Sequence, residues 1–143
     1  MKKEKIVMVV DTREQKPYKF KTLETEVKCL KAGDYSIKGY EERFSVERKS
    51  LSDFVGSITT GRDRFERELV LLSDMDWAGV VIETDFRSIW GAKLFSKINR
   101  KSITNTALKW SVKYDIPFQF VSNRTGGAYT VQAWSEAFVK YNG

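Results

Sequence analysis

Short runs of apolar, mostly β-branched residues alternate along the chain with segments whose apolar residues recur at helical spacing. Residues 6–10 and 79–83 are almost wholly apolar, which is typical of strands that are buried on both faces. Further short strands are predicted at residues 25–30, 35–37 and 116–121, the last of them at the outside of the sheet because it contains a proline.

The segment from residue 44 to residue 49 predicts a strand with two different faces. A period of two places Phe44 and Val46 on one face, with Arg48 following them. Glu47 and Lys49 share the opposite face. A carboxylate and an ammonium group therefore project together from one side of the strand, while Phe44 and Val46 on the other side are predicted to belong to the core.

Two helices are predicted directly after this strand. Ser50 is a candidate N-cap with Asp53 at the third helical position, which is the spacing of a capping box. Thr60 repeats that pattern at the start of a longer helix, whose apolar stripe falls at positions 65, 69 and 72.

The second half of the chain continues the alternation of strands and helices. Asp85 is predicted to cap a short helix, and residues 102–114 predict a longer one. Gly126 and Gly127 predict a turn, after which apolar residues at 131, 134, 138 and 141 mark a C-terminal helix. The predicted fold class is therefore α/β, in one domain that spans residues 1–143.

The composition excludes several kinds of chemistry. The chain has no histidine, which excludes Ser-His-Asp and Cys-His nucleophile systems, histidine general bases and zinc held by histidine. A hydrolase built from these residues must use carboxylates, lysine and a metal. The formal charge of +6 favours polyanionic partners such as DNA or RNA.

The expected location is inside the cell, in a bacterium, a phage-infected cell or a nucleus. The single cysteine, Cys29, excludes an intramolecular disulfide and fits a reducing compartment. The N-terminal segment does not have the pattern of a secretion signal, and no apolar run approaches the ~20 residues that a membrane span needs.

Two acids and a lysine are candidates for a metal-assisted hydrolytic site. Asp34 and Glu47 are the predicted ligands of Mg²⁺ or Mn²⁺, and the backbone carbonyl of Arg48 is a candidate third ligand. Such a metal activates water and relieves the negative charge that develops on a phosphodiester. Lys49 would position or help to deprotonate the water, or stabilise the pentavalent phosphate, and these alternatives stay open.

Each of these residues taken alone also has a purely structural explanation. A Glu-x-Lys pair occurs on solvated strand faces, Asp34 could serve a Gly-Asp turn, and Asp53 could act only as the capping acid. Asp11 ends an apolar strand, where a carboxylate needs either a function or a cation such as Arg13.

Taken together and in order, the motifs resemble the nuclease domain of the XPF-type structure-specific DNA endonucleases. That family has a V-D-x-R-E segment, a G-D-Y or G-D-F turn, and the signature E-R-K-x-x-x-D. The corresponding segments here are Val10-Asp11-Thr12-Arg13-Glu14, Gly33-Asp34-Tyr35 and Glu47-Arg48-Lys49 with Asp53. The similarity is most specific over residues 10–62 and extends more weakly over most of the chain, including Ser57, Gly61-Arg62 and Glu68.

The resemblance implies a restriction-endonuclease-like α/β/α core with a central mixed β-sheet. It also implies dependence on Mg²⁺ or Mn²⁺ and cleavage of DNA at flaps, forks or bubbles. By matching positions, the acidic and lysine centre comprises Asp11, Asp34, Glu47, Lys49 and Asp53, with Asp11 among the metal ligands. Arg13, Arg48 and Arg62 carry over as supporting or phosphate-contact residues.

Larger members of that family continue into a tandem helix-hairpin-helix module, whereas this sequence ends at Gly143. A stand-alone form is therefore expected, in which a homodimer or a partner DNA-binding subunit would increase the affinity for DNA. Every signature residue is present, so an active subunit is expected.

Two groups of basic residues are candidates for phosphate contacts. The first group opens the longer helix and comprises Arg62, Arg64 and Arg67. The second comprises Lys93, Lys97, Arg100 and Lys101, with Lys109 and Phe95 nearby. For each group the alternative is a solvated helix face.

The predicted function is a metal-dependent DNA endonuclease that prefers branched or flapped DNA. Two alternatives share its residues: a general nicking or restriction-like nuclease, and a non-catalytic DNA-binding subunit of a nuclease complex. A small-molecule phosphate or nucleotide binder is less well supported, since the sequence contains no Walker or dinucleotide glycine motif.

Overall fold

One mixed six-stranded sheet forms the centre of the computed structural model, which describes residues 5–91 and 99–142. The strands are β1 (Val7–Asp11), β2 (Glu24–Lys28), β3 (Tyr35–Ile37), β4 (Phe44–Ser50), β5 (Trp77–Glu83) and β6 (Phe118–Phe120). Their order across the sheet is β2-β1-β3-β4-β5-β6. β3 pairs antiparallel with β1 and with β4, whereas the β1–β2, β4–β5 and β5–β6 pairs are parallel.

Helices cover both faces of the sheet. They are α1 (Leu51–Ile58), α2 (Arg62–Ser73), α3 (Phe86–Gly91), α4 (Arg100–Lys113) and α5 (Arg124–Asn142). The core beneath α1, α2 and α4 contains Phe54, Leu69, Val80, Ile82 and Trp110. The core beneath α5 contains Val10, Tyr35, Val46, Val81 and Phe138. The predicted α/β/α core with a central mixed sheet is therefore confirmed.

Strand β4 follows the predicted alternation and decides which side chains reach which layer. Phe44 and Val46 are fully buried in the core beneath α5. Glu47 and Lys49 pair in parallel register with Val80 and Ile82 of β5, whose side chains belong to the core beneath α1 and α2. The two charged side chains consequently project toward these two helices.

The start of α1 confirms the predicted cap, because the backbone N–H of Asp53 donates to Ser50 Oγ at 3.1 Å. The prediction for α2 is wrong by one residue: its N-cap is Gly61, and no side chain caps it. The start of α2 is instead held by a backbone hydrogen bond to α1, in which the N–H of Gly61 donates to the carbonyl of Gly56 at 2.9 Å.

The predicted turn at Gly126 and Gly127 is wrong, since both residues lie in the first turn of α5. The two glycines serve close packing instead. A Cβ on Gly127 would lie 2.1 Å from the hydroxyl of Tyr18, and a Cβ on Gly126 would lie 2.1 Å from the carbonyl of Val121. No helix in the described residues is long and apolar enough to cross a membrane.

Candidate active site

An open cleft of about 660 Å³ lies between β4, the turn before β3, and helices α1 and α2. The cleft is lined by all five residues predicted for the acidic and lysine centre, Asp11, Asp34, Glu47, Lys49 and Asp53, and by the supporting residue Arg13. These residues come from four separate segments of the chain. The sheet and the helix starts bring them together, because β1, β4 and the turn before β3 meet at one end of the sheet.

Asp34 is held by the backbone on both sides of its turn. Its N–H donates to the carbonyl of Val46 at 2.9 Å, and its carbonyl accepts from the N–H of Asp11 at 2.9 Å. One carboxylate oxygen, Oδ2, accepts from the N–H of Arg48 at 2.8 Å. The preceding Gly33 has φ of +83°, a left-handed conformation that favours glycine. The carboxylate of Asp34 is therefore fixed beside β4 by main-chain contacts.

Glu47 is a nearly buried carboxyl, 8% exposed, that faces other acids. Burial raises the pKa of Glu47 well above its usual range, the adjacent Asp34 and Glu68 carboxylates raise it further, and Lys49 opposes them. The ammonium group of Lys49 lies 4.8 Å from the ring centroid of Phe65 in α2. The cleft thus concentrates negative charge around Glu47 and places the cations of Arg13, Lys49 and Arg64 within its lining.

This donor set fits a magnesium-type ion. No group of three histidine, cysteine, aspartate or glutamate side chains in the described residues is arranged to hold a metal by itself. Magnesium commonly keeps several waters and takes only one or two protein carboxylates together with substrate phosphate. Asp34 and Glu47, with the carbonyl of Arg48, match that requirement. A divalent cation would also relieve the carboxylate repulsion that raises the pKa of Glu47.

Asp11 lies at the rear of the cleft, 1% exposed, and its oxygens are engaged by the protein. Oδ2 accepts from Nε of Arg13 at 2.7 Å, and Oδ1 accepts from the N–H of Leu30 at 2.8 Å. Burial opposes ionisation of Asp11, but the hydrogen bonds from Arg13 and from backbone amides outweigh it, so the pKa is lowered. A metal contact by Asp11 stays a prediction, whereas its ion pair with Arg13 is present.

Arg48 belongs to the signature segment, but its side chain does not line the cleft. It lies on the face of β4 opposite to the cleft, as the period of two requires. Its guanidinium forms ion pairs with Glu83 and with Glu14, the second at 3.0 Å, and lies 4.1 Å from the ring centroid of Tyr18. The side chain is 14% exposed. This side chain therefore ties β4 to β5 and to the segment after β1, and its role as a supporting or phosphate-contact residue stays a prediction.

Asp53 keeps its carboxylate at the mouth of the cleft. The capping hydrogen bond to Ser50 uses the backbone N–H of Asp53, so that its side chain is exposed and lines the cleft. The capping explanation and a role in the cleft are therefore compatible in this geometry.

The first basic group lies along α2, beside the cleft. Arg62, Arg64 and Arg67 are all exposed, and Arg64 lines the cleft. Arg62 lies 5.2 Å from a ring centroid of Trp110 and 3.7 Å from a carboxylate oxygen of Glu66. Arg64 is therefore the member of this group closest to the predicted chemistry, while Arg62 also packs against the protein.

The second basic group lies only partly within the described residues. Arg100 and Lys101 are exposed in the first turn of α4. Lys93 and Lys97, with Phe95, fall outside the described residues, so the clustering of this group stays a prediction. Lys109 is exposed further along α4.

Glu68 is an acidic residue of the cleft to which the sequence did not assign a role. It lies in α2, and the N-cap Gly61 lines the cleft together with Arg64, Phe65 and Glu68 at the spacing i, i+3, i+4 and i+7. That spacing is the signal that could have identified it, because one stripe of a helix shares one surface. Its Oε1 accepts from the N–H of Gly33 at 3.0 Å.

Comparison with known proteins identifies the family. A comparison with curated protein sequences gives no significant match. Among solved structures, XPF from Aeropyrum pernix is similar with a TM-score of 0.74 and 19% identity, over 96% of this chain and 62% of that chain. XPF from Aeropyrum pernix in complex with DNA is similar with a TM-score of 0.73 and 18% identity, over 95% of this chain and 66% of that chain.

This chain therefore spans less than two thirds of the length of either structure. Their likeness confirms the restriction-endonuclease-like α/β fold that the sequence motifs implied. The family model of the ERCC4 domain matches residues 10–132, which is well over half of the chain. As the resemblance to XPF-type nucleases predicted, the chain belongs to the ERCC4 domain family.

Proposed function

We propose that the chain is a divalent-metal-dependent DNA endonuclease that cuts near junctions of double-stranded and single-stranded DNA. The observation that carries this proposal is the meeting of Asp34, Glu47 and Lys49 in one open cleft. Membership of the ERCC4 domain family supports it, and so does the fold shared with an XPF structure in complex with DNA. The preference for branched DNA rests on the motif resemblance.

The residues present would hold Mg²⁺ or Mn²⁺ through Asp34, Glu47 and the carbonyl of Arg48. When bound, the ion would supply a site of positive charge that activates water and stabilises the charge on phosphate. Asp34 contributes a carboxylate that the backbone has already oriented, with its Oδ2 accepting from the amide of Arg48 at 2.8 Å. Preorganised ligands of this kind lose little entropy when the substrate arrives.

Lys49 acts on the phosphate or on the attacking water. In the reaction the water oxygen forms a bond to phosphorus, and the bond from phosphorus to the leaving sugar oxygen breaks. The ammonium group of Lys49 can donate hydrogen bonds to the phosphate oxygens as negative charge grows on them. Its position over the ring of Phe65 holds the flexible stem at the cleft.

The DNA backbone is proposed to run along α2, where Arg64 and Arg67 present exposed guanidinium groups. Contacts of this kind neutralise phosphates and position a strand without reading its sequence. A cleft that recognises backbone rather than base edges suits a nuclease that responds to the shape of a junction.

The proposal is tested with labelled single-stranded, duplex, 3′-flap, 5′-flap, fork and four-way DNA, in Mg²⁺, Mn²⁺ or EDTA. Wild type is compared with Glu47→Gln, which keeps the size of the side chain and removes its charge. The matched control is Glu24→Gln, the same exchange at the far edge of the sheet in β2. We expect metal-dependent cleavage of branched DNA by wild type and by the control only.

Three other results would each replace part of this proposal. Metal-dependent cleavage of plain duplex at the same rate as branched DNA would indicate a general nicking nuclease without structure specificity. Cleavage by Glu47→Gln at the wild-type rate would remove the site assignment. Tight binding of branched DNA without cleavage in any metal would indicate a DNA-binding subunit.

A further inference from the structure

We infer that Glu68 is a positioning residue that fastens the Gly33–Asp34 turn to α2 and thereby places the Asp34 carboxylate. The inference rests on the proposed function, because Asp34 matters as a metal ligand. The contact that carries it joins two segments 35 residues apart: Oε1 of Glu68 accepts the N–H of Gly33 at 3.0 Å.

The N–H of Gly33 needs such an acceptor. Gly33 is buried, and a buried backbone N–H without a partner is strongly unfavourable. The turn has little room to move toward another partner, since Ser45 packs closely against Gly33, with its Oγ 1.9 Å from the position that a Cβ would take. Glu68 supplies the acceptor from a different element.

The turn is consequently held from two sides. On the β4 side, the N–H of Asp34 donates to the carbonyl of Val46, and Ser45 Oγ donates to the carbonyl of Ala32 at 2.7 Å. On the α2 side, the carboxylate of Glu68 holds the turn through the N–H of Gly33. Removing this bond frees the Gly33 end while the Asp34 end stays attached to β4, so we expect the carboxylate to lose orientation rather than the fold to be lost.

Glu68 also connects the ligand turn to the helix that carries the candidate phosphate contacts. It lies one helical turn after Arg64 and beside Arg67, and both Glu68 and Arg64 line the cleft. A phosphate strand that binds along α2 would thus rest on the same rigid element that holds the turn.

Hydrogen-bond acceptance and charge are two separable properties of this side chain. Glu68→Gln keeps a carbonyl oxygen that can accept the N–H of Gly33, and it removes the negative charge. Glu68→Ala removes both. A positioning role requires that Gln restores function, whereas a role as a charged metal ligand requires that it does not.

The experiment measures kcat and KM for cleavage of branched DNA, the affinity for Mn²⁺ by calorimetry without DNA, and hydrogen exchange of the Gly33 amide by NMR. The control is Glu136→Ala, the same truncation on the exposed surface of α5, on the opposite face of the sheet. For Glu68→Ala we expect kcat to fall about 10- to 100-fold with KM little changed, together with faster exchange at Gly33. For Glu68→Gln we expect kcat, Mn²⁺ affinity and Gly33 protection close to wild type.

The inference is overturned if Glu68→Gln loses as much activity as Glu68→Ala, because the charge is then what matters. It is equally overturned if Glu68→Ala leaves the exchange of Gly33 unchanged. If wild type cleaves no DNA in any metal, the proposed function fails, and the exchange and Mn²⁺ measurements still decide whether Glu68 positions the turn.

Discussion

Replacing Gly33 by alanine tests how tightly the structure holds the turn that places Asp34. The side chain would have to adopt φ of +83°, and its Cβ would lie 1.9 Å from Ser45 Oγ and 3.1 Å from Ser45 Cβ. The left-handed backbone costs an alanine ~1–2 kcal/mol. Overpacking of a closed site adds ~1–3 kcal/mol.

Rotating the serine does not remove the conflict. Ser45 Oγ donates to the carbonyl of Ala32 at 2.7 Å, and breaking that bond leaves a buried carbonyl unsatisfied, at ~1–3 kcal/mol. The Cβ of Ser45 stays within 3.1 Å whichever rotamer the hydroxyl takes. We therefore expect Gly33→Ala to lower the free energy of unfolding by roughly 2–5 kcal/mol.

Gly39 offers a matched control, because it has φ of +90° and no atom lies within 4 Å of the position that a Cβ would take there. Gly39→Ala has the same backbone penalty, partly offset by ~0.4–1 kcal/mol from the less flexible unfolded chain. The assay is thermal unfolding in EDTA by circular dichroism, with cleavage measured well below the midpoint. We expect Gly33→Ala to lower Tm by about 10 °C more than Gly39→Ala does.

A third variant separates the contact from the backbone. Gly33→Ala combined with Ser45→Ala removes the 1.9 Å contact and leaves the 3.1 Å one, so we expect the double variant to recover part of the lost Tm. Equal Tm losses in Gly33→Ala and Gly39→Ala would refute the reasoning, since the close contact with Ser45 would then make no contribution to the free energy of unfolding.

Three further predictions concern the charged groups. Burial and the acidic neighbours of Glu47 raise its pKa in the folded state, so the contribution of Glu47 to stability is lost as the pH rises through that pKa. Glu47→Gln should therefore raise Tm in EDTA at pH 7. A lower Tm would contradict this. The pKa of Asp11 is lowered despite its burial, because Arg13 and backbone amides bond to it, so its contribution is present above pH ~4 and is lost as the pH falls further. Urea titrations should therefore show that Asp11→Asn is destabilised at pH 7 and differs less from wild type at pH 3. Arg48→Met should lower the free energy of unfolding by ~3–5 kcal/mol and leave the salt dependence of DNA binding unchanged. Arg64→Ala should reduce that salt dependence with little change in Tm. A smaller salt dependence in Arg48→Met would indicate that Arg48 contacts a phosphate.

The features that the sequence predicted well are those that depend on neighbouring residues. The period of two along β4 placed Glu47 and Lys49 on one face and Phe44 and Val46 on the other, because successive side chains of a strand alternate. The N-cap at Ser50 depends on a hydrogen bond that spans only three residues. The motifs from Asp11 to Asp53 likewise indicated the family and most of the charged residues that line the cleft.

The features that the sequence did not predict depend on contacts between distant segments. Arg48 finds Glu14 and Glu83 at separations of 34 and 35 residues, and Glu68 reaches Gly33 across 35 residues. Gly126 and Gly127 have the composition of a turn, yet they lie in α5, where Tyr18 and the carbonyl of Val121 leave no room for a side chain.

The sequence by itself therefore determined the chemistry that is available: a carboxylate and a lysine on one strand face, further acids before and after that strand, and no histidine to replace them. Only the tertiary structure decided which of these groups meet. The order β2-β1-β3-β4-β5-β6 brings the ends of β1 and β4 to one cleft and places Glu83 of β5 beside Arg48 on the other face. The physical reason is that the alternation of side chains along a strand and the hydrogen bonding within a helix are local. Strand pairing and the packing of a sheet between two helical layers instead bring together residues that are remote along the chain.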